Sequence, residues 1–252
     1  MAKTIAIFGA GVGLGASVAH RFGREGYKVA LIARRQEQLD ALAAELAAKG
    51  IEAATFMADL TDTVGIPKLV DAIKARFGSI DVVEYAPIST APFIAAADLT
   101  ADKLENIVKL YLLTPVEIVR AVLPDMLARG EGGILIGQGL SAAQPMPYMS
   151  GVGPAMAATR NYIYSLHGEL AGKGIYAGTL SVGAAIIGTA GHKAMISGEL
   201  GIALPPGFVL PTVEPDELAE QFWLAFTSRD RAEIIFPAQD AHPEAAADGA
   251  VS

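Results

Sequence analysis

The chain has 252 residues, of which 52% are hydrophobic and 18% charged, a composition that suits one large globular domain. Its formal net charge of −8 disfavours nucleic acid as a partner, because binding to a phosphate backbone needs clustered Lys and Arg. There are no cysteines, which excludes disulfides and thiolate chemistry. The opening segment does not have the pattern of a signal peptide, and no apolar run approaches the roughly 20 residues of a membrane span. We therefore expect a cytoplasmic protein without a membrane partner.

Short apolar or β-branched runs alternate along the chain with segments of helical periodicity. The predicted strands are 4–9, 28–33, 52–59, 80–86, 132–137, 175–182 and 232–236. The predicted helices are 15–26, 34–50, 63–78, 102–130 and 148–170, most of which end at a glycine. This order predicts an α/β fold, a Rossmann-like doubly wound parallel sheet in a single domain of residues 1–237. Residues 238–252 have little to bury and are predicted to be a flexible tail.

A glycine-rich run, GAGVGLG, follows the first predicted strand directly. Glycine permits a tight turn, close approach of a pyrophosphate to a helix N-terminus, and close packing of the helix on the strand. Between a strand and a helix at the start of a βαβ unit, this run predicts a dinucleotide site. The predicted contacts are Gly9, Gly11, Val12, Gly13, Leu14 and Gly15.

The second predicted strand ends at Ala33, Arg34 and Arg35. A protein that selects NAD commonly presents a carboxylate here to the ribose 2′-hydroxyl, and this chain has none. The planar guanidinium of Arg34 would pair with a 2′-phosphate, with Arg35 beside it, which favours NADP(H) as the cofactor. The alternative is a solvated surface arginine pair.

Over residues 4 to about 236 the chain resembles the short-chain dehydrogenase/reductase family. The motifs that carry the resemblance are the GxxxGxG glycine spacing, Asp59-Leu60, Leu123-Pro124, and SLHGEL followed by Gly174-Ile175. The resemblance implies that Asp59 contacts the adenine, that Leu60 flanks the same ring, and that Ala86 and Thr189 also bind the cofactor. Taken alone, Asp59 is equally compatible with a cap at the end of a strand.

The same resemblance implies that the family's catalytic positions are changed. Counted from the shared motifs, the family's catalytic Asn, Ser, Tyr and Lys fall on Tyr111, Gly139, Val152 and Met156. In the family the Tyr protonates the nascent alkoxide, the Lys lowers the pKa of that Tyr and binds the nicotinamide ribose, and the Ser fixes the carbonyl. Reduction of simple ketones by this mechanism would therefore be severely impaired.

Several chemistries stay open. In the first, Tyr148 acts from the loop before the helix on a conjugated alkene, with Tyr85, Tyr111 or Ser141 as further hydroxyl donors. In the second, the electrophile is already activated, for example as an iminium, and needs orientation but no strong acid. In the third, the cofactor is structural or absent, and the protein is an isomerase, a cyclase or a regulatory binding protein.

Other residues of the predicted site carry weaker expectations. Glu84 would become a useful acid if burial raised its pKa, and Arg160, one turn beyond Met156, is a candidate to replace the charge of the missing lysine. His192 lies in the segment 188–211, which is predicted to be a lid loop that closes over a small apolar organic substrate. No metal site is predicted.

The family resemblance also implies assembly. Helices of residues 102–127 and 151–172 would pair across two-fold axes, giving a homodimer or homotetramer. The predicted packing stripe on the second of these helices is Ala157, Ala158, Tyr162 and Leu166.

Overall fold

The protein is a parallel sheet with helices on both faces. Its structure, a computed structural model, describes residues 2–89, 93–199 and 210–238. The strands are β1 (Thr4–Phe8), β2 (Lys28–Ala33), β3 (Ala53–Met57), β4 (Val82–Tyr85), β5 (Gly132–Gly139), β6 (Ile175–Val182), β7 (Ala185–Ile186), β8 (Thr212–Val213) and β9 (Glu233–Phe236). The helices are α1 (Leu14–Arg24), α2 (Gln36–Ala48), α3 (Ile66–Phe77), α4 (Ala101–Val108), α5 (Thr114–Arg129), α6 (Val152–Leu170), α7 (Ala190–Ser197) and α8 (Pro215–Ser228).

The main sheet has seven strands in the order β3-β2-β1-β4-β5-β6-β9, and all neighbouring strands in it are parallel. The direction of winding reverses between β1 and β4. In doubly wound sheets the ligand crevice lies at this reversal, beyond the carboxyl ends of the strands. The predicted α/β Rossmann-like fold is therefore confirmed.

Alternate residues of each strand face opposite layers, because side chains in a strand point to alternate faces. Ile5 and Ile7 of β1 lie in the core beneath α1, α2 and α8, whereas Ala6 and Phe8 lie in the core beneath α3, α5 and α6. Both faces of the strand are thus buried. This is why the strands read as continuous apolar runs in the sequence.

The predicted strands agree closely with the observed ones, and β2 and β6 agree at both ends. Helix α8 was not predicted, although its sequence carries a start signal. Glu214 and Glu217 form a capping box around its first turn, and Pro215 occupies the first helical position. The sequence therefore contains the start signal of this helix.

The predicted lid loop is wrong over Ala190–Ser197, which form helix α7. Thr189 caps this helix by accepting a hydrogen bond from the main-chain N–H of His192. Residues 200–209 of the predicted lid and 239–252 of the predicted tail lie outside the described residues. The domain division at residue 237 stays a prediction.

One π-helical turn, Lys109–Leu113, joins α4 to α5 within the predicted helix 102–130. Such turns widen the helix by one residue and are frequent at functional sites. Tyr111 lies at the centre of this turn. None of the helices in the described ranges has the length and apolarity needed to cross a membrane.

Candidate functional site

The glycine-rich turn between β1 and α1 packs against the turn that follows β4. Gly9 and Gly13 have φ values of 111° and 102°, which only glycine adopts readily. A Cβ on Gly9 would lie 3.1 Å from the Cα of Pro87, and one on Gly15 would lie 2.8 Å from the carbonyl oxygen of Gly9. There is therefore no room for a side chain at Gly9 or Gly15.

Helix α1 begins at Leu14 immediately after this turn, and no side chain caps its first turn. The N-terminal N–H groups and the positive end of the helix dipole form an anion-binding site of the kind that takes a pyrophosphate. This arrangement fits the predicted cofactor contacts of Gly9, Gly11, Val12, Gly13, Leu14 and Gly15. Their contact with a cofactor stays a prediction.

Arg34 and Asp59 lie at the carboxyl ends of β2 and β3, on one side of this turn. Both are exposed, as is Arg35. The pKa of Asp59 is lowered chiefly by the hydrogen bond from the main-chain N–H of Thr61, and the charge of Arg34 lowers it further. Arg34 is therefore close enough to influence Asp59 electrostatically.

Asp59 also serves as a local cap. Its Oδ1 accepts hydrogen bonds of 2.9 Å from the main-chain N–H and from the hydroxyl of Thr61. The neighbouring Leu60 is buried, and its carbonyl oxygen accepts a hydrogen bond from Thr114 Oγ1 at 2.5 Å. The predicted strand-end cap is therefore present, and the contact of Asp59 with adenine stays a prediction.

The residues counted from the family motifs come together in the structure. Tyr111, Val152 and Met156 belong to one apolar cluster with Ala142 and Ala155. This cluster, the apolar pocket cluster, joins the π-helical turn, the 3-10 turn Leu140–Ala142 that follows β5, and the start of α6. Counting from the family motifs therefore identified residues that are distant along the chain but lie together in the structure.

Ser141 and Gly139 border the apolar pocket cluster. Ser141 is buried, and its Oγ lies 4.0 Å from Met156 Sδ. A Cβ on Gly139 would lie 3.5 Å from that Oγ and 3.7 Å from that Sδ. The hydroxyl of Ser141 is therefore beside the position that a longer side chain at residue 139 would occupy.

Tyr111 is buried within the apolar pocket cluster, and its phenol oxygen accepts a hydrogen bond of 2.8 Å from the main-chain N–H of Ser89. Its carbonyl oxygen accepts a hydrogen bond from Thr159 Oγ1, which also donates to the carbonyl of Ala155 at 3.3 Å. Burial raises the pKa of Tyr111. Tyr111 is thus tied both to α6 and to the segment after β4.

Tyr148 does not belong to this buried cluster. Its side chain is 54% exposed, and it has φ 65° in the turn Met146–Pro147–Tyr148–Met149, closed by a hydrogen bond of 3.3 Å from Met149 N to Met146 O. Pro147 precedes a residue with positive φ, as in a type II turn, which prefers glycine there. Tyr148 therefore holds a costly backbone conformation at an exposed position, a combination often associated with function.

Two expected contributors are engaged elsewhere. The hydroxyl of Tyr85 donates to the carbonyl oxygen of Leu110. The guanidinium of Arg160 binds both carboxylate oxygens of Glu233, at 2.9 Å through Nε and at 2.6 Å through Nη2. The hypothesis that Arg160 supplies a free positive charge in place of the lysine is therefore wrong, because Glu233 neutralises it.

Helix α7 begins against the glycine-rich turn. Thr189 Cγ2 lies 2.5 Å from the position that a Cβ on Gly13 would take, and Ile88 Cδ1 lies 2.9 Å from that of a Cβ on Gly191. Thr189 Oγ1 donates to the carbonyl of Ile186 at 2.7 Å. The first turn of α7 therefore covers both the glycine turn and the segment that includes Ala86, as a lid would.

Sequence reasoning did not find the role of the segment 86–89. Pro87 packs on Gly9, Ile88 on Gly191, and the N–H of Ser89 binds Tyr111. No local pattern marks such contacts, since they depend on where α7 and the π-helical turn come to lie. The sheet order and the glycine turn define a Rossmann-type α/β protein.

Comparison with known proteins gives the family. A family model for short chain dehydrogenase matches residues 3–195, and the chain belongs to that family. The oxidoreductase asL5 of Sarocladium schorii is 31% identical over 179 residues, which are 71% of this chain and 70% of that protein. A short chain dehydrogenase of Pseudocercospora fijiensis is 29% identical over 182 residues, which are 72% of this chain and 59% of that relative.

Solved structures share the fold at lower identity. NAD+-bound xylitol dehydrogenase has a TM-score of 0.82 at 19% identity, with 93% of this chain and 97% of that one covered. An NADPH-bound short chain oxidoreductase from Pseudomonas aeruginosa PAO1, described as containing an atypical catalytic center, has a TM-score of 0.77 at 20% identity, with 96% and 100% covered. Structural neighbours therefore include proteins bound to either nicotinamide cofactor.

Proposed function

We propose that the protein is an NADPH-dependent reductase of a small apolar molecule, with an active site that lacks the family's usual Ser, Tyr and Lys. The proposal rests on the segment 86–89, which connects the glycine-rich turn to the apolar pocket cluster. Pro87 packs on Gly9, and two residues later Ser89 binds the Tyr111 hydroxyl. The turn that we propose to hold a dinucleotide and the apolar cluster that we propose to receive the substrate are thus connected by a short segment.

The residues that would hold the cofactor fit its chemistry. The glycine turn and the N-terminus of α1 suit a pyrophosphate, and exposed Arg34 and Arg35 suit a 2′-phosphate. Asp59 and Leu60 would contact the adenine side, and Ala86 and Thr189 the nicotinamide side. The bound cofactor would supply hydride.

The pocket side chains favour an electrophile that is already activated. From Gly132 to Thr159 the chain contains no Asp, Glu, Lys, Arg or His. Val152 and Met156 exclude water and orient an apolar compound, but they cannot transfer a proton. The available hydroxyls are those of Tyr111, Ser141 and Tyr148. We therefore expect reduction of a conjugated alkene or an imine and very little activity on simple ketones, since a general acid typically contributes about 10² to 10⁴ in rate.

A nonredox protein of the same fold, such as an isomerase, a cyclase or a cofactor-binding regulator, is the second candidate. The apolar side chains of Val152 and Met156 favour it, because they remove the family's proton-transfer groups. Anaerobic titration with NADPH followed by fluorescence, then assays with cinnamaldehyde, pyrroline and cyclohexanone, separates the two. Binding of NADPH without its oxidation by any of the three compounds would favour the nonredox candidate.

The cofactor preference is tested at Arg34. We expect NADPH to bind more tightly than NADH, and Arg34→Ala to reduce the ratio of the two affinities about ten- to a hundredfold, since charge-assisted hydrogen bonds are worth about 1.5–3 kcal/mol. Arg24→Ala is the matched control, because Arg24 is exposed at the far end of α1. Equal affinities of the unmodified protein for both cofactors would contradict the role of Arg34.

A further inference from the structure

The segment 86–89 holds the Tyr111 hydroxyl at the edge of the cofactor cradle. Pro87 contacts the glycine turn, and Ser89 donates its N–H to the phenol oxygen at 2.8 Å. The Cα atoms of Pro87 and Ser89 are at most about 7 Å apart, since two residues of extended chain span no more than that. The hydroxyl is therefore held close to the segment that packs on the glycine turn.

The direction of this hydrogen bond leaves the phenol hydrogen free to be donated. A tyrosine hydroxyl can both donate and accept, and the Tyr111 oxygen accepts from the N–H of Ser89. Its hydrogen has no acceptor among the residues that the structure describes. Tyr85 differs, because its hydrogen is donated to the carbonyl of Leu110. Of these two neighbouring buried tyrosines, Tyr111 alone keeps its hydrogen available.

The main chain of Tyr111 is anchored on the side of α6. Thr159 Oγ1 donates to the Tyr111 carbonyl, and the π-helical turn Lys109–Leu113 places that carbonyl towards α6. The ring packs with Val152 and Met156 in the apolar pocket cluster. Both ends of the residue are therefore fixed before any substrate binds, which is the preorganisation that proton donors require.

From this geometry we propose that Tyr111 is the proton donor of the reaction, and that Tyr148 is not. The inference rests on the proposed function, because it assigns the proton in that reduction. The reduced cofactor, held by the glycine turn and Arg34, would supply a hydride with its two electrons to the substrate carbon and would thereby be oxidised. The O–H bond of Tyr111 breaks, and its proton bonds to the imine nitrogen or to the α-carbon of the conjugated alkene.

The tyrosinate that remains accepts the N–H of Ser89 and regains its proton from water when product leaves. Burial keeps the resting group protonated, because burial raises the pKa of Tyr111. The hydrogen bond from Ser89 opposes this effect and stabilises the anion. The donor is thus neutral at rest and releases its proton only as negative charge develops on the substrate.

Kinetics of three matched variants test the assignment. We expect Tyr111→Phe to lower turnover of cinnamaldehyde or pyrroline at least tenfold and to leave NADPH affinity within about twofold, as for a lost transition-state interaction. Tyr176→Phe is the control, since Tyr176 is also buried and its hydroxyl makes one hydrogen bond, of 3.0 Å to the Arg231 carbonyl. A loss with Tyr148→Phe but not with Tyr111→Phe would overturn the proposal.

A second measurement does not depend on turnover. Pyrroline is added to the protein with oxidised NADP+, so that no hydride is available, and its imine C=N stretch is recorded by infrared difference spectroscopy. A hydrogen bond from Tyr111 to the imine nitrogen shifts this frequency in the unmodified protein and in Tyr176→Phe, and the shift is absent in Tyr111→Phe. No shift in the unmodified protein, or an equal shift in all three, overturns the proposal. Failure of the proposed function is distinct, since it appears as no binding or no oxidation of NADPH.

Discussion

Glu84 is the side chain whose environment departs furthest from that of an ordinary carboxylate. It is 1% exposed, lies in register with Ile7 and Leu135, and neither of its oxygens has a hydrogen-bond partner within the described part of the chain. Burial raises its pKa to about 8. The group is therefore a neutral acid in the folded protein at neutral pH, whereas it ionises in the unfolded chain near 4.5.

This difference makes stability depend on pH. Between about pH 4.5 and 8 the side chain of Glu84 holds a proton in the folded protein that it has lost in the unfolded chain. The contribution of Glu84 to the free energy of unfolding is therefore fully present below about pH 4.5 and is lost as the pH rises to about 8. Within this window the free energy of unfolding falls by about 1.4 kcal/mol for each unit that the pH rises. We expect Glu84→Gln to remove this decline, measured as free energies of unfolding in urea at pH 5, 6, 7 and 8.

The control for this measurement is Glu37→Gln, which changes an exposed glutamate on α2. It should keep the pH dependence of the unmodified protein. Identical pH profiles for the Glu84 and Glu37 variants would show that Glu84 is ionised in the folded state.

Among the elements, α6 and the edge strand β9 are joined by a partly buried ion pair. The Glu233 side chain is 7% exposed and that of Arg160 31%. Ser181 Oγ and Tyr164 Oη also donate to this carboxylate, at 2.6 and 2.8 Å. Burial acts to raise the pKa of Glu233, but the donors Arg160, Ser181 and Tyr164 outweigh it and the pKa is lowered. The pair thus holds β9 against the helix that carries Met156.

Removal of Arg160 should leave a buried carboxylate without its main partner. We expect Arg160→Ala to lower the free energy of unfolding by about 2 kcal/mol, since hydrogen bonds to charged groups are worth about 1.5–3 kcal/mol. Together with Glu233→Ala and the double variant, this change completes a double-mutant cycle. The coupling energy between Arg160 and Glu233 should be clearly favourable. Arg231→Ala, which breaks an exposed pair with Asp230, should cost clearly less. Equal costs for the two arginines would contradict this account.

For the whole molecule, the outer surface of α5 and α6 carries a shallow groove. It is lined by Val116, Val119, Arg120, Leu123, Tyr162, Ser165, Leu166 and Glu169. Tyr162 is partly exposed here, but Leu166 is buried in the core of its own subunit, so it contributes less to the predicted stripe than its spacing suggested. The groove is the surface through which the predicted homodimer or homotetramer would form.

We expect the protein to sediment as a dimer or tetramer at micromolar concentration. Leu123→Glu, which places a charge in the groove, should shift it to monomer because an interface core disfavours unpaired charge. Leu224→Glu is the control, since Leu224 is an exposed leucine on α8. A stable monomer of the unmodified protein would contradict the predicted assembly.

The extent of correct prediction differs between the fold and the site. Strand limits such as Lys28–Ala33 follow from apolar runs, because a strand buried on both faces needs them along its whole length. Counting from local motifs also brought Tyr111, Val152 and Met156 to one cluster. Helix α7 was missed, because a short helix in a Gly-rich segment has weak local signals.

By itself, the sequence determined the parallel α/β fold, the glycine turn at its switch point and the absence of Asp, Glu, Lys, Arg and His between Gly132 and Thr159, since each depends on residue type and spacing along the chain. Only the tertiary structure decided which polar groups are free to act. Arg160 is neutralised by Glu233, and the Tyr85 hydrogen is donated to Leu110, whereas Tyr111 accepts from Ser89 and its hydrogen has no acceptor within the described part of the chain. The physical reason is that the state of a polar side chain depends on the partners and burial that distant segments provide, and spacing along the chain does not encode these.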